Sequence, residues 1–402
     1  MIAIPKVKDR KVVRKHDILK WNEEDPPQVN YPNLGKRLAT CDDLYRFADY
    51  AGGLLLVLND GDHRRITTVK ALAAIIVDRV QMQVYKDGKP KGGRISSAHL
   101  DTMLQAEVFL SCFRSVDLVT SVPLFLPDFS VCRPGFNPGG EGQRIFYAGD
   151  SPTVSDSMKT ITKFLDVMTF DTNADRTNAV AAGLTVMLRN HWPGGKPILA
   201  VTANKSHAGK DTVIAFATNE VESTSISYGS TDWALEYKFI KALKNNPATG
   251  VIVLENARLD RKDRVIASAF VERFATDPRP LLSSPGTGEP VRLRNTIVTA
   301  ISTNYGTVSE DIANRSLPIH LSPVGNVADR QSPIGNPRLE FLPANKHRIA
   351  AELRGMVCRW KKAGMPLDEN VRHPFSQWAK IVRGDLARQR RFLRGGRQCH
   401  LP

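Results

Sequence analysis

The stretch Pro197–Thr212 constrains this chain more than any other. The apolar run Ile198–Val201 reads as a buried strand, Asn204–Gly209 as a tight polar loop, and Val213–Ala217 as the buried face of a helix beginning near Thr212. A strand, a glycine-lysine loop and a helix N-terminus in that order form the layout of a nucleotide-phosphate cradle. Backbone N–H groups and one lysine there hold the β- and γ-phosphates. The residues that would line the cradle are Asn204, Lys205, Ser206, His207, Ala208, Gly209, Lys210, Asp211 and Thr212. Against the pattern G-x-x-x-x-G-K-[ST], Asn204 stands at the first glycine and Asp211 at the hydroxyl position. Asn tolerates positive φ better than other non-glycine residues, so Asn204 is expected to make the turn. Either Asp211 or the Thr212 hydroxyl takes the magnesium-facing role. His207 either contacts phosphate or points to solvent.

Three downstream elements suit the same site. Val251–Leu254 is a run of β-formers ending in Glu255 and Asn256, and a carboxylate at a strand tip is placed to hold the Mg²⁺ that bridges phosphates. Thr296–Asn304 is a second buried strand, tipped by an amide. Ser309–Ser316 then brings Arg315, followed by the strand-like Leu317–Leu321. Lysine loop, acid-tipped strand, Asn-tipped strand and arginine occur in that order.

With these residues in view, the chain resembles the superfamily 3 helicase-type ATPases and their relatives, in particular the C-terminal ATPase half of primase-helicases carried by phages, plasmids and integrated elements. Gly209-Lys210-Asp211 resembles their variant Walker A, and Glu255-Asn256 their Asp-Asn Walker B, with Glu in place of the usual Asp. Asn304 is similar to the sensor asparagine, and Arg315 to the arginine that acts across a subunit boundary. Val122–Phe136 and His373–Trp378 resemble segments that flank the ATPase core in such proteins. The resemblance implies an α/β fold of the P-loop NTPase (AAA+-like) kind, a parallel sheet flanked by helices. It also implies ATP and Mg²⁺ as cofactors and a ring-forming homo-oligomer such as a hexamer. Between the acid-tipped and Asn-tipped strands such proteins carry a hairpin that touches DNA, so Arg292 and Arg294 are candidate nucleic-acid contacts; the alternative is an ordinary surface hairpin.

The formal charge of +15 agrees with a polyanionic partner. Basic residues concentrate in Lys6–Lys15 and in Arg383–Arg397, blocks that attract phosphate backbones without reading sequence, or simply solubilise the chain. No run reaches the ~18 apolar residues of a membrane span, and the N-terminus lacks a secretory apolar core. Five cysteines, scattered and without a C-x-x-C pair, fit reduced thiols of a cytoplasmic protein and no zinc site.

Along the 402 residues we expect four parts. Residues 1–30 form a basic flexible arm. Residues 31–150 form a mainly helical accessory domain, winged-helix-like, with helices over Leu44–Ala51, Thr68–Val77 and Ser97–Phe113 and a charged turn at Lys86–Gly93. Residues 151–345 form the ATPase core, with a long helix over Asp260–Ala275, and residues 346–402 a helical end with an Arg-rich tail. That tail departs from the apolar helical ending of the resembled proteins and reads as a chain cut short or shifted in frame, or as a basic tail for nucleic acid.

Other constellations fail. Asp60-Gly61-Asp62 is turn chemistry more than a polymerase metal pair, so no primase centre is expected. Asp171–Asp175 begins like a calcium loop, but Arg176 and Ala182 occupy the positions that require Gly and Glu. His191-Trp192 reads as structural. The expected function is an ATP-dependent nucleic-acid motor. The rivals are a non-catalytic DNA-binding protein with a degenerate loop and a metabolic P-loop kinase, the latter disfavoured by the charge.

Overall fold

The computed structural model describes residues 18–47, 53–57, 63–92, 94–140, 143–229, 231–246, 248–255, 265–282, 291–304, 307–325 and 332–388. The Lys6–Lys15 arm, Asp60–Asp62, Asn256, the Ser284–Glu289 turn and the tail beyond Arg388 lie outside the described residues. The chain divides into two compact units: Met1–Val119 with Arg144–Ala148, and Thr120–Gln143 with Gly149–Pro402.

The first unit contains β1 (Leu19–Asn22), α1 (Pro27–Leu38), β2 (Leu44–Phe47), β3 (Leu54–Val57), β4 (His63–Ile66), α2 (Val69–Arg79), β5 (Met82–Lys86), β6 (Lys89–Lys91), α3 (Ser97–Met103), α4 (Glu107–Leu110) and β7 (Ser115–Val116). It is a mixed α/β unit and not the mainly helical one expected. One sheet has the order β1-β5-β6 and another β4-β3-β2-β7. The segment from Leu44 was expected to be a helix, but Leu44–Phe47 is a strand that pairs antiparallel with β3. The expected Ser97–Phe113 helix is two short helices separated by Leu104–Ala106. Residues 19–30 belong to this unit rather than to a free arm: Trp21 on β1 is buried with Leu34, Leu72 and Phe109 in one apolar cluster. The charged turn is the tip of the β5–β6 hairpin, where Asp87 and Gly88 both take positive φ, the requirement of a tight two-residue turn.

The second unit is built on α5 (Lys159–Val167), α6 (Asn173–Met187), β8 (Ile198–Ala203), α7 (Lys210–Thr218), β9 (Ser223–Ser227), α8 (Asp232–Asn245), β10 (Val251–Glu255), α9 (Ala269–Thr276), β11 (Val298–Asn304), α10 (Glu310–Asn314), β12 (Ser316–Leu321), α11 (Leu342–Lys362) and α12 (Ser376–Arg388). The five core strands form one parallel sheet, β9-β10-β11-β8-β12. Side chains alternate across it. Leu199, Val201, Val251, Val253, Val298, Ala300, Leu317 and Ile319 join one cluster with residues of α5, α6, α7, α11 and α12. Ile198, Ile252, Leu254 and Ile301 join another with residues of α8, α9 and α10. A parallel sheet with both faces covered must have such continuous apolar strands, which is why the sequence showed them as unbroken runs. Edge strand β9 (Ser-Thr-Ser-Ile-Ser) was not anticipated, because its residues alternate between exposed and half-buried. The expected long helix over Asp260–Ala275 is only α9; Val265–Ile266 before it is a short strand.

Two side-chain contacts absent from the strand pattern fix α6 to the sheet and α12 to α6. The Asp171–Asp175 segment is a capping box: Thr172 and Asp175 cap each other at the start of α6, and Asp175 also accepts from the His320 backbone N–H on β12 at 2.8 Å. Trp378 on α12 donates to the Thr185 hydroxyl inside α6 at 2.9 Å.

Candidate nucleotide site

In a parallel sheet, ligands bind outside the carboxyl ends of the strands, at the point where successive connections leave in opposite directions. Here that point is β8. The chain leaves it for β9 at one edge of the sheet, then works back to β11, and crosses to β12 on the other side. The Asn204–Gly209 loop sits at this carboxyl end.

The loop is clamped from one side. Asn204 donates its backbone N–H to Leu321 O and its side-chain amide to Ser322 Oγ, and Lys205 Nζ donates to Gly325 O at 2.9 Å. Lys205 is therefore held by the segment following β12. Positive φ falls on His207 (60°) and on Gly209 (93°), not on Asn204 as expected. Asn204 instead works as a tether. Ser206 and His207 are exposed and Ala208 is buried. Gly209 is needed twice over: it caps α7 in the left-handed region, and a Cβ there would meet Met168 Cε at 2.8 Å. Among the described residues no side chain caps the α7 N-terminus, so its first N–H groups and the positive end of its dipole face the loop.

Lys210, the first residue of α7, is buried, and its ammonium donates to Asn304 Oδ1 at 2.5 Å. Burial lowers its pKa from the ordinary lysine value, opposed by the neighbouring Asp211 carboxylate. Asp211 accepts from Ser302 Oγ on β11 at 3.3 Å, and Thr212 is buried one position further on. Strand register places the remaining acid. Leu254 pairs with Ile301, so Glu255 stands level with Ser302 on the adjacent strand, and Ala203 pairs with Asn304. Glu255, Ser302 and Asn304 continue the alternation of Val253, Val298 and Ala300, on the sheet face that α7 covers. One lysine, one amide and two carboxylates thus converge at the carboxyl edge.

Arg315 is not among them. Its backbone carbonyl accepts from Ile198 N at 3.0 Å at the opposite, amino end of the sheet, roughly 17 Å of strand away from the loop at ~3.3 Å per residue. Its guanidinium is held by Asp311 of the same helix. Arg294 also lies toward the amino end. It is near Lys196, and Lys196 donates to the carbonyl of the adjacent Asn295 at 2.8 Å. The Val291–Arg292 strand pairs antiparallel with Leu281–Leu282; the Arg292 side chain is outside the described residues.

Mg²⁺ in phosphate sites keeps several waters and takes one or two protein oxygens plus phosphate oxygens. No group of three His, Cys, Asp or Glu able to hold a metal by itself occurs among the described residues. Asp211, Thr212 and Glu255 are oxygen-bearing residues at this end of the sheet, and any one or two of them would supply the protein oxygens that a phosphate-bound Mg²⁺ takes.

No family model and no curated protein matches the chain. Among solved structures it is similar to the apo structure of the NrS-1 C terminal region, with 17% identity and a TM-score of 0.48 over 90% of this chain and 75% of that one. The A form of that apo structure gives 14% identity, a TM-score of 0.46 and coverage of 90% and 73%. A JCV helicase with a bound thiazolopyridinyl phenoxyphenyl acetamide gives 12% identity, a TM-score of 0.26 and coverage of 53% and 61%. No helix among the described residues is long and apolar enough to cross a membrane.

Proposed function

We propose that this chain is a Mg²⁺- and ATP-dependent nucleic-acid motor of the helicase or translocase type, with a P-loop site, from the replication system of a phage, plasmid or integrated element. The observation that carries the reading is the convergence of Lys210, Asp211, Glu255 and Asn304 at the uncapped N-terminus of α7. Lys210 neutralises the γ-phosphate, while the Gly209 amide and its neighbours cradle the β-phosphate. Asn304, already bonded to Lys210, orients the attacking water in this reading. Bound Mg²⁺, held through Glu255 with Asp211 or Thr212, would neutralise charge on the β- and γ-oxygens.

Arg315, at the far end of the sheet from its own loop, serves a neighbouring subunit's phosphate in a ring of identical chains. The excess of 56 Lys and Arg over 41 Asp and Glu fits a nucleic-acid track. The deciding experiment is ATP hydrolysis measured with and without single-stranded DNA. Turnover that DNA stimulates and Lys210→Ala abolishes supports the reading. No turnover under any nucleic-acid condition, with DNA binding retained, would assign the chain to a non-catalytic DNA-binding role.

A further inference from the structure

We propose that the exposed face of α8 is a stacking platform for single-stranded nucleic acid. Four of the five tryptophans are buried: Trp21, Trp192, Trp360 and Trp378 are at most 4% exposed, while Trp233 is 70% exposed. Tyr237, one turn on, is 41% exposed, and the two rings lie 6° from parallel with centroids 6.0 Å apart. Lys241 and Lys244 continue the same exposed face. The i, i+4, i+8, i+11 spacing makes one stripe, roughly 16 Å long at ~1.5 Å per residue. That length matches about five nucleotides stacked at ~3.4 Å.

The stripe is rigidly mounted, and none of its four positions is a carboxylate. Leu235, Phe239 and Ile240 anchor the opposite face in the core. The nearby carboxylates turn toward the α9 region: Asp232 accepts from Ser268 Oγ, and Glu236 pairs with Arg273 at 3.5 Å. Lys238 is turned the other way, onto Ser227. Because β9 pairs Ser227 with Glu255, the aromatic end of the stripe leaves the sheet at the same carboxyl edge as the phosphate loop. Two flat rings followed by two ammonium groups suit alternating bases and phosphates. Stacking of this kind is sequence-tolerant, since every base has a π-face. An apolar protein partner would make no use of the exposed Lys241 beside the rings.

The inference rests on the nucleic-acid half of the proposed function, and its test needs no nucleotide. Tryptophan fluorescence of the full chain is titrated with a 20-mer oligo-dT, and affinity is measured independently by anisotropy of the labelled oligonucleotide. Binding should quench the emission, and Trp233→Ala should remove most of the quench. The Trp233→Ala/Tyr237→Ala variant should bind about tenfold or more weakly, as loss of base stacking implies, and Trp233→Phe should retain most of the affinity. An unchanged affinity in the double variant overturns the platform alone. So does a double variant that falls from oligomer to monomer in sedimentation while each protomer binds oligo-dT as before, since the face is then a contact between copies. Wild-type protein that does not bind oligo-dT at all overturns the platform and the nucleic-acid reading together.

Discussion

Lys210 Nζ donates to Asn304 Oδ1 at 2.5 Å, joining the first residue of a helix to the last residue of a strand 94 positions away. The bond parks a buried cation on a neutral amide, and under the proposed function an arriving phosphate would offer it a full negative charge. Removing either partner separates their roles. Lys210→Ala should lower ATP turnover by about a hundredfold or more, the scale of losing one preorganised transition-state contact, and should weaken ATP binding as well. Asn304→Ala should bind ATP nearly normally and hydrolyse it slowly. Equal loss of binding in both variants, measured with a fluorescent ATP analogue, would show that Asn304 acts only by holding the lysine.

Gly209→Ala tests the loop geometry. It places a Cβ at φ 93° and against Met168, at a backbone cost on the order of 1–3 kcal/mol. ATP affinity should fall and the melting temperature should drop. Adding Met168→Ala should relieve the contact but not the backbone strain, so recovery should be partial. Full recovery in isothermal titration would mean that the dihedral is immaterial.

Arg315 and Lys210 lie at opposite ends of one sheet, so a shared site needs two chains. Arg315→Ala should bind ATP yet fail to turn it over. Mixing it with Lys210→Ala protein should restore part of the activity through interfaces that pair one intact arginine with one intact lysine. A monomer in sedimentation that shows no rescue would rule this arrangement out.

Lys196 gives a pH dependence of stability. It is 3% exposed, and burial, with Arg189 and Arg294 adding repulsion, pushes its pKa down from 10.5 to about 7. Below pH 7 the folded and unfolded chains both carry the charge, and the fold bears the full burial penalty. Between 7 and 10.5 the folded state has released a proton that the unfolded state keeps, so stability rises with pH across that window. Lys196→Met loses two hydrogen bonds, to Trp192 O and Asn295 O, at every pH, but should flatten the rise. Parallel denaturation midpoints for wild type and variant from pH 7 to 9.5 would remove Lys196 as the cause.

Where burial on both sheet faces forces an unbroken apolar run, the sequence was readable. Ile198–Val201, Val251–Leu254, Thr296–Asn304 and Leu317–Leu321 all contribute strands to the central sheet. Elements whose conformation depends on a neighbour were not readable. Leu44–Phe47 has helical spacing with the residues after it, yet pairs with Leu54–Leu56. Ser223–Ser227 is polar enough to pass for a loop, and is a strand because Val251–Glu255 offers its edge.

The sequence alone determined which residues are candidates for chemistry here: one lysine after one glycine, an acid and an amide at strand ends, and a large positive charge. These are local facts of residue type and apolar run length. Only the tertiary structure decided who meets whom. Parallel register levels Glu255 with Ser302 and Ala203 with Asn304, and it sends Arg315 to the opposite end of the same sheet. Positive φ went to His207 and not to Asn204, which is instead held by Leu321 at the end of the strand after α10 and by Ser322 just beyond it. Strand order and register arise from packing both sheet faces at once, and a pattern read along one segment has no access to them.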